Sequence, residues 1–242
     1  MSLHNSGKIL LGLYANGVLR MWNMMEARCK YKRKVNVLTE FDMHSDHEDE
    51  DLEVTELRKK DLTEYQKQPV SVLWEPSQGQ LFCILFNNLL EVFNVNDESA
   101  ADLPCSFSVF DIQLTSVAFI GVDSLVASDV EGNLQVLSNI KSQEGLGLKT
   151  INTKFERIRQ GKCLYEQSSK QFQFLAAIST DSRIAVWDRK RISEFDHDLG
   201  ELKADRVVKA KDKLTCLQIT DFSHLSIKKT KLLGKRTHQQ AS

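Results

Sequence analysis

Phe174–Asp188 reads FLAAISTDSRIAVWD. An apolar run meets a polar break at Asp181-Ser182, and a second alternating run closes on Trp187-Asp188. This is the signature of two antiparallel strands joined by a tight turn. The same grammar occurs in Ile9–Asn23 (ILLGLYANGVLRMWN), Leu81–Asn94 (LFCILFNNLLEVFN) and Ser124–Ser138 (SLVASDVEGNLQVLS). Each unit ends on Trp-Asn, Phe-Asn, Leu-Ser or Trp-Asp. A unit that recurs in this way is one sheet that cannot bury both of its faces alone. The repeat therefore predicts an all-β platform of stacked sheets, an architecture that binds more often than it catalyses.

The spacing sharpens the prediction. The unit-ending residues Trp22, Phe93, Leu137 and Trp187 are separated by 71, 44 and 50 residues. Propeller blades of the WD type repeat every ~40–45 residues. The first gap is too long by roughly the length of Glu40–Glu64, which holds eleven acidic residues against three basic ones. That stretch reads as an insertion on a loop between two blades, where added length costs little.

Local signals agree with this reading. Asn16-Gly17, Asn87-Asn88, Glu131-Gly132-Asn133 and Asp181-Ser182 supply turn residues that tolerate positive φ. Innermost strands are expected at Val70–Trp74, Leu114–Phe119, Arg159–Tyr165 and Leu214–Ile219. Outer strands are expected at Cys29–Val35, Cys105–Phe110 and Arg206–Ala210. Pro69, Pro76 and Pro104 fall at strand boundaries, where a missing N–H is tolerated. Gly145-Leu146-Gly147 reads as a loop. SLHNSGK at the start reads as the end of an innermost strand and its turn, so the chain is expected to open in mid-blade and to stop after the first strand of another.

The expected organisation is a partial WD blade over 1–39 and a disordered acidic insertion loop over 40–64. Further blades then occupy 65–222 and end in a lone inner strand, and a basic disordered tail covers 223–242. The sequence is 41% hydrophobic and 27% charged with a net charge of −1, ordinary for a soluble globular protein. The five cysteines lack any CxxC spacing, which argues against a disulfide framework or a zinc site. Cys83 and Cys216 lie in apolar runs and read as small buried hydrophobes, as in a reducing compartment. No apolar run approaches the ~20 residues of a membrane span, and no signal peptide opens the chain.

Candidate site residues are read against the same frame. Asp129 and Asp181 sit at strand-to-strand turns and read as braces that accept backbone N–H groups. Trp22, Trp187 and Asp188 read as structural blade residues, the tryptophans packing between neighbouring blades. His44 and His47, with Asp42, Asp46, Glu48 and Asp49, have metal-ligand chemistry but no ligand spacing, so the stretch reads as an acidic loop. Lys228, Lys229, Lys231, Lys235 and Arg236 form a basic tail suited to RNA phosphate contact or nuclear import. No aromatic residue interleaves with these lysines, which argues against base stacking. The sequence has no GxxxxGK[ST], no GxGxxG after a strand, no GxSxG and no kinase signature set.

HNSGKILLGLYANGVLRMWN, QPVSVLWEPSQGQ, LTSVAFIGVDSLVASDVEGNLQV and ISTDSRIAVWD, in this order, resemble the C-terminal part of the p21-activated-kinase-interacting WD-repeat proteins. This is the family that includes the maintenance-of-killer factor of large-subunit ribosome assembly. The likeness runs from about Leu3 to Phe222. The chain departs from the pattern at the insertion Glu40–Glu64 and at Leu137-Ser138, which stands in place of Trp-Asp. The resemblance implies a seven-bladed WD40-type β-propeller, of which this chain would hold about four blades in a ring that is not closed. It also implies that an N-terminal segment supplies the outer strands for Leu214–Ile219.

The resemblance further implies a non-enzymatic scaffold for 60S subunit biogenesis in the nucleus and nucleolus. Its partners would be proteins of the pre-60S particle, p21-activated kinase, which it would restrain, and rRNA through the basic tail. No cofactor, metal, membrane or small-molecule substrate is implied. Two alternatives stay open: a cytoplasmic kinase-regulating signalling adaptor, and a truncated isoform that is inactive on its own.

Overall fold

The computed structural model describes residues 1–35, 62–63, 66–96, 104–166, 171–193 and 202–217. Among these residues sixteen strands form four antiparallel four-stranded sheets, each built from strands consecutive in sequence. Blade 1 holds β1 (Ser2–Leu3), β2 (Ile9–Leu13), β3 (Val18–Asn23) and β4 (Arg28–Lys34). Blade 2 holds β5 (Pro69–Trp74), β6 (Leu81–Phe86), β7 (Leu89–Asn94) and β8 (Ser106–Val109). Blade 3 holds β9 (Leu114–Gly121), β10 (Ser124–Asp129), β11 (Asn133–Ser138) and β12 (Gly147–Asn152). Blade 4 holds β13 (Ile158–Tyr165), β14 (Phe172–Ser179), β15 (Arg183–Asp188) and β16 (Arg206–Lys209), with the short helix α1 (Arg189–Ser193) after β15.

The four recurring units are thus the central hairpins of the four blades. The first strands β1, β5, β9 and β13 lie against one another in succession, so they line the inner side of the row. Between successive blades lies one hydrophobic core. Leu11 and Leu19 of blade 1 meet Trp74, Ile84 and Phe93 of blade 2. Cys83 and Leu90 of blade 2 meet Phe119, Leu125 and Leu137 of blade 3. Val126 and Ile151 of blade 3 meet Leu175, Ala185 and Trp187 of blade 4. Blades 1 and 4 share no core among the described residues.

Burial follows position in the row. In blade 2, β6 (LFCILF) is buried at every residue and β7 at all but the last, because neighbours cover both faces. Such strands read as continuous apolar runs. In blade 4, β15 (RIAVWD) buries alternate residues Ala185 and Trp187. Residues that end the third strands point toward the preceding blade. Phe93, Leu137 and Trp187 are 3%, 1% and 0% exposed, whereas Trp22 of blade 1 is half-buried.

Polar bonds repeat along with the cores. Ser2 Oγ on β1 accepts from Trp74 N on β5 at 3.0 Å, and Ser116 Oγ on β9 accepts from Gly161 N on β13 at 2.7 Å. Gln160 on β13 continues the series, its Oε1 accepting from Leu217 N at 2.7 Å. Residues 214–217 thus run beside β13, but they form no strand, unlike the expected inner strand at Leu214–Ile219. They lack a hairpin neighbour among the described residues to complete a ladder. The rest of that segment, 218–219, lies outside the described residues.

Other expectations also need correction. Asn87-Asn88 does not use positive φ; the non-glycine residues that do include Ser182. Both asparagines are buried and tie blade 2 to the next blade. Asn87 O accepts from Leu114 N at 2.6 Å, and Asn88 Nδ2 donates to Phe110 O at 3.1 Å. Gly147 opens β12, which pairs with β11 from Ser138↔Gly147 to Asn133↔Asn152, so the outer strand of blade 3 begins where a loop was expected. Cys216 is exposed, not buried, because residues 214–217 sit at the end of the row. Cys83 is fully buried, and burial pushes its thiol well above the usual range. The acidic stretch 40–64, apart from residues 62–63, and the whole tail 223–242 lie outside the described residues.

Two outcomes follow from this packing. Trp187→Ala should lower unfolding stability by about 3–5 kcal/mol, and Trp22→Ala by roughly half of that or less, in proportion to the smaller area removed from water; urea titration followed by circular dichroism measures both. Under alkylation at mildly basic pH, Cys29 and Cys216 should label quickly while Cys83 labels only on unfolding, as read by intact and peptide mass spectrometry.

Candidate functional site

Carboxylates removed from water are the natural place to look for chemistry, and Asp129, Glu75 and Asp181 are already occupied. Asp129 ends β10 and is 0% exposed. Its Oδ1 accepts from Glu131 N at 2.9 Å and Asn133 N at 2.8 Å, and its Oδ2 from Gln135 Nε2 at 3.0 Å. Gln135 Oε1 in turn accepts from Thr150 Oγ1 at 2.6 Å. The network crosses β10, β11 and β12 and holds the hairpin turn closed. At the turn, Gly132 has φ +87°, and a Cβ there would lie 1.8 Å from Phe155 O, so only glycine fits. Glu75 is 2% exposed and closes the turn before β6, accepting from Ser77 N at 2.7 Å, Gln78 N at 2.6 Å and Gly79 N at 2.9 Å.

Asp181 occupies the matching turn of blade 4. Its Oδ1 accepts from Ser179 Oγ at 2.6 Å and Arg183 N at 3.3 Å, and its Oδ2 pairs with the Arg183 guanidinium. Burial alone would raise this carboxyl. The hydrogen bonds from Arg183 and Ser179, with the Arg183 charge, outweigh it and hold the group below the ordinary carboxylate range. Arg183 lies 4.3 Å over the Phe155 ring, and Phe155 meets Trp187 edge-on at 5.7 Å. Thr153 Oγ1 donates to Gly132 O at 2.5 Å.

The connection between blades 3 and 4 is therefore clamped at both ends. One end sits on the Asp129 turn and the other on the Asp181–Arg183 pair and Trp187. Asp129, Asp181 and Trp187 are brought into one structural assembly, with Thr153, Phe155, Arg183 and Gln135 as members that the sequence reading missed. Asp188 stands apart. Its Oδ1 accepts from Lys190 N at 2.9 Å, capping α1, and its own N–H donates to Asp205 Oδ2 at 2.8 Å. Trp22 lies in blade 1, away from all of these.

Among the described residues, two exposed surfaces offer room for partners. Ser77, Gln78, Val122, Tyr165, Gln171 and Arg189 line a groove where the first strands of blades 2, 3 and 4 turn into their second strands. The other is β4, whose sequence RCKYKRK is mostly exposed. Among the described residues, no group of three or more His, Cys, Asp or Glu side chains is placed to hold a metal ion. Among them, too, no helix is long and apolar enough to cross a membrane. The His44 and His47 stretch and Lys228, Lys229, Lys231, Lys235 and Arg236 lie outside the described residues.

No family model matches this sequence, and no curated protein matches it. Among solved structures the chain is similar to the β-propeller domain of Cps50 (Swd1) from Myceliophteria thermophila. The identity is 11% and the TM-score 0.57, over 90% of this chain and 57% of that one. The chain thus spans little more than half of that domain. At such low identity the likeness concerns the fold alone. With four stacked antiparallel sheets, it establishes an all-β, partial WD40-type propeller of four blades without a closed ring among the described residues.

Replacing Asp129 by Asn leaves one oxygen for the two backbone N–H groups and sets a donor against Gln135 Nε2, and should cost about 1–3 kcal/mol. Asp181 has a depressed folded pKa, so its contribution is fully present above the unfolded value of about 3.9 and is lost as pH falls through the folded one. The stability gap between the parent and Asp181→Asn should therefore be widest near neutral pH and close as the solution is acidified below about 4. Denaturant titrations across that range measure it.

Proposed function

We propose that this chain is a non-enzymatic WD-repeat scaffold that serves assembly of the large (60S) ribosomal subunit in the nucleolus and binds p21-activated kinase to restrain it. The observation that carries the scaffold reading is the state of three buried and half-buried carboxylates. Asp129, Asp181 and Glu75 each spend their oxygens on turn-closing hydrogen bonds. None pairs with a His or a second carboxylate in the manner of a general acid or base. The rigid row of blades offers loops and outer strands for display, and a propeller of this kind commonly works by holding several proteins at once. The ribosomal and kinase roles rest on the ordered motifs from HNSGK to IAVWD and on their resemblance to the p21-activated-kinase-interacting proteins.

The test is a tagged chain expressed in cells and followed through a sucrose gradient. Co-sedimentation with pre-60S particles and nucleolar retention are expected, with pre-60S proteins recovered on affinity purification. A diffuse cytoplasmic chain that recovers the kinase and no pre-60S protein would replace this reading with that of a signalling adaptor.

A further inference from the structure

Blade 1 differs from its three neighbours in charge. Residues 1–35 contain seven Lys and Arg and one acidic residue, Glu26. Five of the seven basic residues fall on β4: Arg28, Lys30, Lys32, Arg33 and Lys34. The other outer strands, SFSV, GLKTIN and RVVK, carry none, one and two. Being outermost does not by itself call for such density.

The register divides these groups. Leu19↔Arg33 and Met21↔Tyr31 face blade 2, and Arg33 lies 5.5 Å over the Phe93 ring. Val18↔Lys34 and Arg20↔Lys32 face the other way. Arg20 and Lys32 are therefore like charges directly opposite, an arrangement that opposes folding. Arg20 stacks 5.0 Å over the Tyr14 ring, and its Nε is buried with no hydrogen-bond partner. A buried donor without an acceptor is costly. The like-charge cost falls if an anionic group lies against this face.

The backbone points to what carries that anion. β4 pairs with β3 and with no other strand among the described residues. Val35 N donates to Gly17 O at 2.8 Å, so the antiparallel alternation turns the N–H and C=O groups of Lys34 and Lys32 to the open edge. Among the described residues, the main chain and the cationic side chain at these two positions are both free for one partner. We propose that β4 accepts an acidic, extended peptide as a fifth strand of blade 1, with Asp or Glu at every second position, opposite Lys32 and Lys34. Added residues two apart share a face, so one carboxylate lies opposite Lys34 and the next opposite Lys32. Basic edges repel basic or neutral strands as they recruit acidic ones. A nucleic acid would meet the charge but leave the edge N–H and C=O groups unpaired, which favours a peptide. This inference stands independently of the role in subunit assembly.

The test uses the full chain and three fluorescent probes: a decapeptide alternating Glu with Val or Thr, the same peptide N-methylated on its edge-facing amides, and a ten-nucleotide uridine RNA. Residues 40–64 of the same chain are themselves acidic, so the readout is the ranking of the probes and not an absolute affinity. The unmodified peptide should bind about tenfold more tightly than the N-methylated one, slow amide exchange at Lys32 and Lys34, and weaken steeply with salt. Lys32→Glu with Lys34→Glu should abolish binding. Lys32→Gln with Lys34→Gln, a milder change to the fold, should weaken it about tenfold. Equal binding of the N-methylated peptide, tighter binding of the RNA, or indifference to the glutamine variant would each overturn the proposal.

Discussion

The structure depends on one constraint: a four-stranded twisted sheet with an apolar face cannot hide it alone. Each blade solves this by lying against the next, so the three hydrophobic cores sit between sheets and not within them. The third-strand residue pointing back toward the preceding blade is the recurrent contact, and Trp187 fills it most completely, with its Nε1 donating to Leu202 O at 3.4 Å. Blade 2, covered on both sides, is the most apolar. Blade 1 keeps a half-buried tryptophan and a cationic face. Sequence character thus follows each blade's place in the row.

Polar groups fix the geometry that the apolar faces leave free. Hydrophobic burial has no direction, so two sheets could slide while keeping most of their contact. Ser2, Ser116 and Gln160 each accept a main-chain N–H from the next segment along the inner side, and these bonds set the stagger. The aspartates work within and between turns. Asp129 closes its own hairpin through three bonds, and Asp181 orients Arg183 so that its guanidinium covers Phe155. Their carboxylates are buried to different degrees and satisfied by neighbouring donors, the condition under which a buried polar group supports a fold.

The hairpins were legible because their signals are local. Alternation, turn residues and terminal Trp-Asp or Phe-Asn pairs all lie within fifteen residues, and β2–β3, β6–β7, β10–β11 and β14–β15 follow them closely. The outer strand of blade 3 was not legible, since Gly145-Leu146-Gly147 resembles a loop and only pairing with β11 orders Gly147 as its first residue. The turn at Asn87-Asn88 misled for a similar reason. Asparagine permits a left-handed backbone, but here its side chain is spent on distant partners in residues 110–114. Asp129 and Asp181 could be placed by their turns. Phe155, Thr153 and Arg183 could not, because their importance arises from contacts between blades that no spacing rule encodes.

The doubly clamped connection from Thr153 to Phe155 has a mechanical meaning. A linker held only by its covalent ends would let one sheet peel away under tension while its neighbour stayed whole. Here the strap is bolted to both, through Gly132 on one side and through Arg183 and Trp187 on the other. Load arriving at the far edge of the last leaf is passed directly to the one before it, so the pair bears a pull as a single plate.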